Sequence, residues 1–431
     1  MDIFTTSTVV LLALCVLWRS TFGFALVVAI QMVFREVGLI TLASLGSTYY
    51  STVWIFLGSL LMFIVGYLIT EMVLRNRRSI SEPTLTPLND RAVMAVVVTA
   101  GTLAMYHLVV GGIPLFSSSI ETARFDFTSS GIFGIPGRMY LFGINIAWVV
   151  ASANAQAHGM RWRAYYPWRW ATAVLLVAAV LSGFKGELLS LAYSVVAVYV
   201  IVSKRRLTFG AAVRKYWWIG AIGIAYFAAI AALYPSYSTR GDSVVSQFYS
   251  RLTTIPAQPI QYAIEGYGSV GLGTPIFSDF TYFLQKYGGG DVTGMYTFER
   301  AVSASIIGVD PSSSAFTTPV TVSAFAELYV SFGIVLALLA MALCGSVFSF
   351  GESAPRHSTL GLIMRAVIGI MMVSWLVKGG LAYHFLNFAA VTLMLALVGV
   401  AAHFMFPAAN RGRSPEFHTT EHSTTGPDPH L

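Results

Sequence analysis

The sequence predicts an all-α polytopic membrane protein of about 11 transmembrane helices, with one large outer loop that contains short amphipathic helices. Three observations carry this. The chain is 56% hydrophobic with a mean hydropathy of +0.70, and runs of roughly 20 apolar residues, enough to span a bilayer, recur along it. Only 10% of its residues are charged, against about 25% in soluble domains, too few to coat a water-soluble core of this size. One stretch, 235–324, is too polar and too broken by Gly and Pro to cross a membrane.

Apolar runs bounded by charged or Gly/Pro-rich joints place spans around 4–18, 21–45, 53–74, 92–110, 139–157, 170–183, 188–202, 217–234, 334–350, 360–377 and 385–406. The pair 170–183 and 188–202 is short and shares a four-residue joint, Phe184-Lys185-Gly186-Glu187. Residues 1–406 read as a single transmembrane domain with outer loops 111–137 and 235–324, with no cleavable signal and no separate soluble domain. The tail 407–431, rich in Ser, Thr, His and Pro, reads as disordered and cytoplasmic.

Orientation follows from Lys and Arg. With the 75–91 loop inside, sixteen basic residues fall on inner segments and eight on outer ones, and Arg35 and Arg365 fall within spans. The amino terminus is then outside, the carboxyl terminus cytoplasmic, and both long loops outside. The same bias explains the pI of about 9.3; there is no nucleic-acid module. Cys15 and Cys344 lie in apolar runs and form neither a disulfide framework nor a metal spacing. Gly111-Gly-Ile-Pro-Leu-Phe116 is a turn or re-entry signal, since Gly and Pro stop a helix while apolar flanks keep the chain near the interface. In 235–324 the aromatics and Ile residues demand burial, so short helices lying on the outer surface are expected.

The outer and embedded charges are the candidates for chemistry. Arg124 could offer its planar fork of donors to a phosphate or pair with Glu121 one helical turn earlier. Arg240 and Arg251 are three helical turns apart and share a face if the segment is helical; together they suit a lipid diphosphate, with Asp242 placed to neutralise Arg240. On an amphipathic surface helix they would be ordinary arginines. Lys185 and Glu187 occupy a tight outer turn at membrane depth, where ionisable groups are costly and point to function, or they anchor the turn. Glu327 and Tyr329 stand where the chain re-enters the membrane; a buried carboxylate there could act as a base or hold an outer cation. Lys378-Gly379-Gly380-Leu-Ala-Tyr383-His384 forms the last outer turn, and imidazole is the natural base near neutral pH, though a His beside a Tyr is more often interfacial packing. Arg35 and Glu36 point to different helix faces and each needs its own partner.

The chain lacks a Walker lysine loop, which excludes a P-loop ATPase, and has no His/Cys/carboxylate cluster at metal spacing. No outer loop carries the Asp-x-Asp pair that a metal-dependent sugar transferase would use. No internal repeat of the inverted-transporter kind stands out.

Gly111-Gly-Ile-Pro-Leu-Phe116 followed by Glu121-Thr-Ala-Arg124 resembles the first outer loop of the oligosaccharide repeat-unit polymerases (O-antigen polymerase, Wzy type). Gly183-Phe-Lys185-Gly-Glu187 is similar to that family's Gly-x-Arg/Lys-Gly turn between two short spans. Ala326-Glu327-Leu-Tyr329-Val-Ser-Phe-Gly333 resembles its Glu-Leu-Tyr-x-x-Phe-Gly opening of the helix after the large loop. The three motifs cover roughly 105–340. The resemblance implies a glycosyltransferase of the bacterial inner membrane, related in fold to the O-antigen ligases. It would transfer a growing glycan from undecaprenyl diphosphate onto the next lipid-linked repeat unit. The donor, the acceptor, the bilayer and a chain-length regulator would be its partners, and it would need no cofactor. It implies diphosphate-holding roles for Arg124, Arg240 and Arg251, with Lys185 and Lys378 as further cations. Catalytic roles fall to Glu327, His384 and Glu187, with Asp242 and Tyr329 in support. One departure stands out: some members place a glycine ten residues beyond a loop arginine, and eleven on from Arg124 and Arg251 this chain has Ile135 and Tyr262.

Arginines would stabilise the diphosphate leaving group while a carboxylate or imidazole takes the acceptor proton, in a single displacement with inversion and with no metal required. An O-antigen ligase is the alternative enzyme. A flippase for lipid-linked sugars is the alternative of another class, and it would show pseudo-symmetry and have less use for one asymmetric outer loop.

Overall fold

The computed structural model describes residues 23–75, 84–117, 123, 127, 134–182, 185–203, 208–232, 244–268, 270–271, 273–312, 320–354 and 357–406. Among these residues the chain is all-helical, with no β-strand. Six helices are long and apolar enough to cross a membrane: α1 (Phe24–Ser44), α2 (Tyr50–Arg75), α3 (Asp90–Val110), α13 (Ala324–Ser353), α14 (Thr359–Lys378) and α15 (Leu381–Met405). Between α3 and α13 lie α4 (Gly134–Arg138), α5 (Ile144–Ala157), α6 (Tyr166–Leu181), α7 (Lys185–Ala197), α8 (Phe209–Ala232), α9 (Val244–Leu252), α10 (Thr254–Tyr262), α11 (Thr274–Tyr287) and α12 (Phe298–Ile307).

The expected short pair is present as α6 and as α7 with its π-helical continuation Val198–Val202. The expected span 139–157 is a π turn, Met139–Gly143, running into α5. That helix carries Asn145, Ser152 and Asn154, buried with their polar atoms bonded. The first expected span, 4–18, and the tail 407–431 lie outside the described residues. The stretch 235–324 contributes α9 to α12, the short helices that its aromatics required; α9 is amphipathic, as its alternating Val, Phe, Tyr and polar residues dictate.

Long apolar helices must bury each face or turn it to lipid, and here the division is clear. Of the apolar windows of α1 and of α14, 61% is buried inside the protein, against 28% for α15, which places the first two at the centre. The tightest pairing is α2 with α13. A Cβ on Gly66 would stand 1.9 Å from the Ala342 carbonyl oxygen, and one on Gly345 2.0 Å from that of Phe63. Only glycine lets the two backbones approach this closely, and Ser346 Oγ adds a bond to the Gly66 carbonyl at 3.1 Å.

Helix ends are closed by side chains, as an apolar surround demands. At one end of the bundle Glu352 accepts from the Phe24 N–H at 2.6 Å and the Tyr67 hydroxyl at 2.9 Å, tying α1 and α2 to α13. Asn154 bonds Leu88 N–H at 2.6 Å and Tyr165 Oη at 2.7 Å, and Asp90 accepts from His158 at 2.9 Å. At the opposite end Glu265 closes the start of α2. Burial works against its charge, yet bonds from Thr48, the Tyr49 N–H, Thr52 and Gln261 hold its carboxyl below the usual range. Here too α13 is broken at Gly333, where φ is +74°. Just before the break, the Val330 and Ser331 carbonyls accept from Val270 and Gly273 of the preceding loop at 3.2 and 2.6 Å. The expected motif Phe332-Gly333 thus marks a joint.

Gly345→Ala is expected to cost more than the about 1–3 kcal/mol of ordinary overpacking, because its methyl meets backbone. Leu343→Ala, at a 65% exposed position of the same helix, should stay within about 0.5 kcal/mol. Thermal unfolding of detergent-purified protein measures both.

Candidate functional site at the turn between α14 and α15

Lys378 ends α14 and Leu381 begins α15, joined by Gly379 and Gly380 at φ +80° and +69°. Two left-handed residues in succession require glycine, and a second constraint acts here. A Cβ on Gly380 would sit 3.1 Å from Oε1 of Glu299, so the Glu299 carboxyl lies directly against the turn.

Glu327 holds the turn from the other side. Its carboxylate is buried and accepts from Trp375 Nε1 at 2.9 Å and from the Leu381 N–H at 3.1 Å. It therefore caps α15 from the first turn of α13 and fastens the last turn of α14 with the same group. The sequence offers it as a base or as the holder of an outer cation; in the fold backbone and indole N–H groups occupy its oxygens, which fits a positioning residue. The end of α14 has a third restraint. Arg35 of α1 donates to the Val377 carbonyl, a cation at a helix C-terminus where the backbone dipole favours it. Neighbouring Glu36 is also buried, and neither of its oxygens has a partner among the described residues.

Above this turn sit α11 and α12. Asp279 of α11 is buried and accepts from the Phe298 N–H at 2.9 Å, capping α12 together with Thr297. Burial raises its carboxyl; the Phe298 bond opposes this, nearby Glu327 adds to it, and the result is about 7. Glu299, in the first turn of α12, is raised well above the usual carboxylate range by burial, then by Glu327 and Asp279, with Lys378 opposing.

Between these elements lies a cavity of about 160 Å³. A stripe of α14 four residues apart, Ile370, Ser374 and Lys378, forms one wall. Tyr383, His384 and Phe388 of α15, Phe142, Asn145, Ser190 of α7, Glu299 of α12 and Thr321 also line it. His384 is 5% exposed, and its Nδ1 has no hydrogen-bond partner among the described residues. Its ring lies 6.4 Å from Phe142, which also packs on Phe388 at 4.8 Å. One helical turn beyond, Arg138 donates to Asn387 at 2.7 Å and lies 4.2 Å over the Tyr287 ring.

Of the residues singled out from sequence, the fold brings Lys378 and His384 into one cavity and sets Glu327 behind its turn. Tyr329 is half-buried against Phe325 at 6.2 Å and does not line the cavity. Arg251 is half-buried in the last turn of α9 and does not line it either. Arg124, Arg240 and Asp242 lie outside the described residues; Lys185 and Glu187 lie on the described backbone of α7, with their side chains outside what is described. Glu299, Asp279, Asn145, Ser190 and Ser374 carry no motif. The available signal for the two acids was scarcity, since the whole chain has 19 acidic residues. The carboxyl groups do not converge on a point, and among the described residues no group of three His, Cys, Asp or Glu side chains is arranged to hold a metal ion.

No family model, no curated protein and no solved structure matches the chain.

Glu327→Ala should cost about 1–3 kcal/mol for each N–H it leaves unsatisfied, whereas Glu327→Gln keeps an acceptor and should lose less; thermal unfolding separates the two. Asp279 binds a proton more tightly folded than unfolded, so between its ordinary 3.8 and about 7 its contribution to stability falls as pH rises and is constant above. Asp279→Asn keeps an acceptor for Phe298 and should flatten that slope by up to one proton, read from unfolding temperatures across this range.

Proposed function

We propose that the chain is a membrane glycosyltransferase that polymerises undecaprenyl-diphosphate-linked repeat units into a surface polysaccharide at the outer face of the bacterial inner membrane. In this reading it has eleven spans, α9 to α12 lie on the outer side, and the carboxyl terminus is cytoplasmic. The observation that carries the proposal is the cavity at the α14–α15 turn. It lies where two apolar helices end, is roofed by short amphipathic helices, and combines an ammonium, an imidazole and a carboxyl group. Intramembrane ionisable groups are expensive, and three around one cavity argue for use. The three loop motifs of the polymerase pattern support the same reading.

The chemistry is one displacement. A hydroxyl oxygen of the acceptor sugar bonds to the anomeric carbon of the donor glycan. The bond from that carbon to the phosphate oxygen breaks, and its electron pair leaves on undecaprenyl diphosphate. The hydroxyl proton passes to the imidazole of His384, which lines the cavity. Loop arginines, Arg251 with Arg124 and Arg240, stabilise the departing diphosphate. Glu327 positions the turn that carries the base. A single displacement inverts the anomeric configuration.

Deleting the gene should leave single repeat units on lipid or core, seen as loss of the polymer ladder on gels; persistence of full-length polymer sinks the proposal. His384→Ala and Arg251→Ala should each reduce polymer at least tenfold, on the order of 1.4 kcal/mol or more of transition-state stabilisation, with protein abundance unchanged on immunoblots.

A further inference from the structure

Resting on the glycosyltransferase reading for the identity of its occupant, we infer that the cavity at the α14–α15 turn is a subsite for one neutral sugar ring of the acceptor, and that Lys378 serves this subsite and not the diphosphate. Size, charge and wall chemistry point the same way. A cavity of about 160 Å³ is smaller than the about 300–1,000 Å³ of sites for drug-sized ligands, and it suits a single ring rather than an oligosaccharide or a lipid head with its sugar.

Charge excludes the diphosphate. Among the described residues Lys378 is the one cation in the wall, and Glu299 shares the cavity with it. Glu327 and Asp279 stand close enough to act on Glu299. A multiply negative group would meet one ammonium and no guanidinium among the described residues of this wall, in a medium where an unbalanced charge is costly. Diphosphate sites are built the other way, from forks of arginine.

The remaining wall is what a sugar needs. Phe142, Tyr383 and Phe388 line it with aromatic carbon against which the C–H face of a pyranose can pack. Ser190 and Ser374 are short polar groups on two different helices that line the cavity as candidate hydroxyl partners. Lys378 donates and Glu299 can accept. His384 lines the same space. A hydroxyl of the bound ring would meet this imidazole and be held for deprotonation.

The test is thiol protection in the full-length protein. In a Cys15→Ala, Cys344→Ala background, Ser190→Cys is reacted with a small methanethiosulfonate reagent in detergent or nanodiscs. Ser374→Cys, on the facing helix, is a second reporter should one variant fold poorly. The probes are methyl glycosides of common neutral hexoses and N-acetylhexosamines, and geranyl diphosphate as a head group without sugar. At least one glycoside should slow labelling about tenfold at about ten times its dissociation constant, and geranyl diphosphate should not. Protection by geranyl diphosphate, or failure of every glycoside to protect, overturns the inference. The outcome is separable from that of the polymerase reading. Polymer loss on deletion without glycoside protection leaves the enzyme and removes the subsite. Glycoside protection in a protein whose deletion leaves polymer intact does the reverse.

Discussion

The carboxylate of Glu327 fastens the first turn of α13 to both sides of the turn that joins α14 and α15. It sits in the first turn of α13, accepts the indole N–H in the last turn of α14, and accepts the first free N–H of α15. In an apolar surround each of those N–H groups would otherwise be orphaned, at a penalty of several kcal/mol. The Gly379–Gly380 turn can therefore take its left-handed path, and that path sets Lys378 and His384 on either side of one cavity. Glu299 presses on the same glycines from above. Remove the acceptor and the helix starts, the turn and the cavity wall lose their common anchor.

The same economy governs the rest of the molecule. Glu352 closes the start of α1, Glu265 the start of α2, Asp279 the start of α12, and Arg35 the end of α14. Nearly every buried charge near a helix end is matched to the polarity of that end, as the helix dipole and orphaned backbone groups require. His384 Nδ1, both oxygens of Glu36, and Nε and Nη1 of Arg35 itself are buried and lack partners among the described residues. His384 faces a cavity; Glu36 does not line it.

Some of this was legible in the residues. Composition and apolar runs named the class, because burying 56% hydrophobic residues behind 10% charged ones is possible only with lipid as part of the solvent. The turn Lys378-Gly-Gly was legible as a turn because glycine pairs break helices. Glu327 was legible as exceptional because carboxylates at membrane depth need a reason. Its reason was not. A carboxylate can hold a cation, take a proton or cap a helix, and only the position of α15 relative to α13 chooses among them. Tyr329 stood out by its place in a motif, yet helix periodicity turns it toward Phe325 and away from the cavity.

By itself, the sequence determined that this protein is helical and apolar enough to cross a membrane, that 235–324 would fold as short helices, and that its few charges would matter. Local rules suffice for these, since hydropathy, breaker residues and period act within one turn of chain. The tertiary structure alone decided that Glu299, from a segment without a motif, faces Lys378 across a cavity whose walls come from α5, α7, α12, α14 and α15. Those residues are separated by up to hundreds of positions in the chain. Their meeting depends on close helix packing, at Gly66 and Gly345 above all, and on caps that reach between helices, neither of which any single segment encodes.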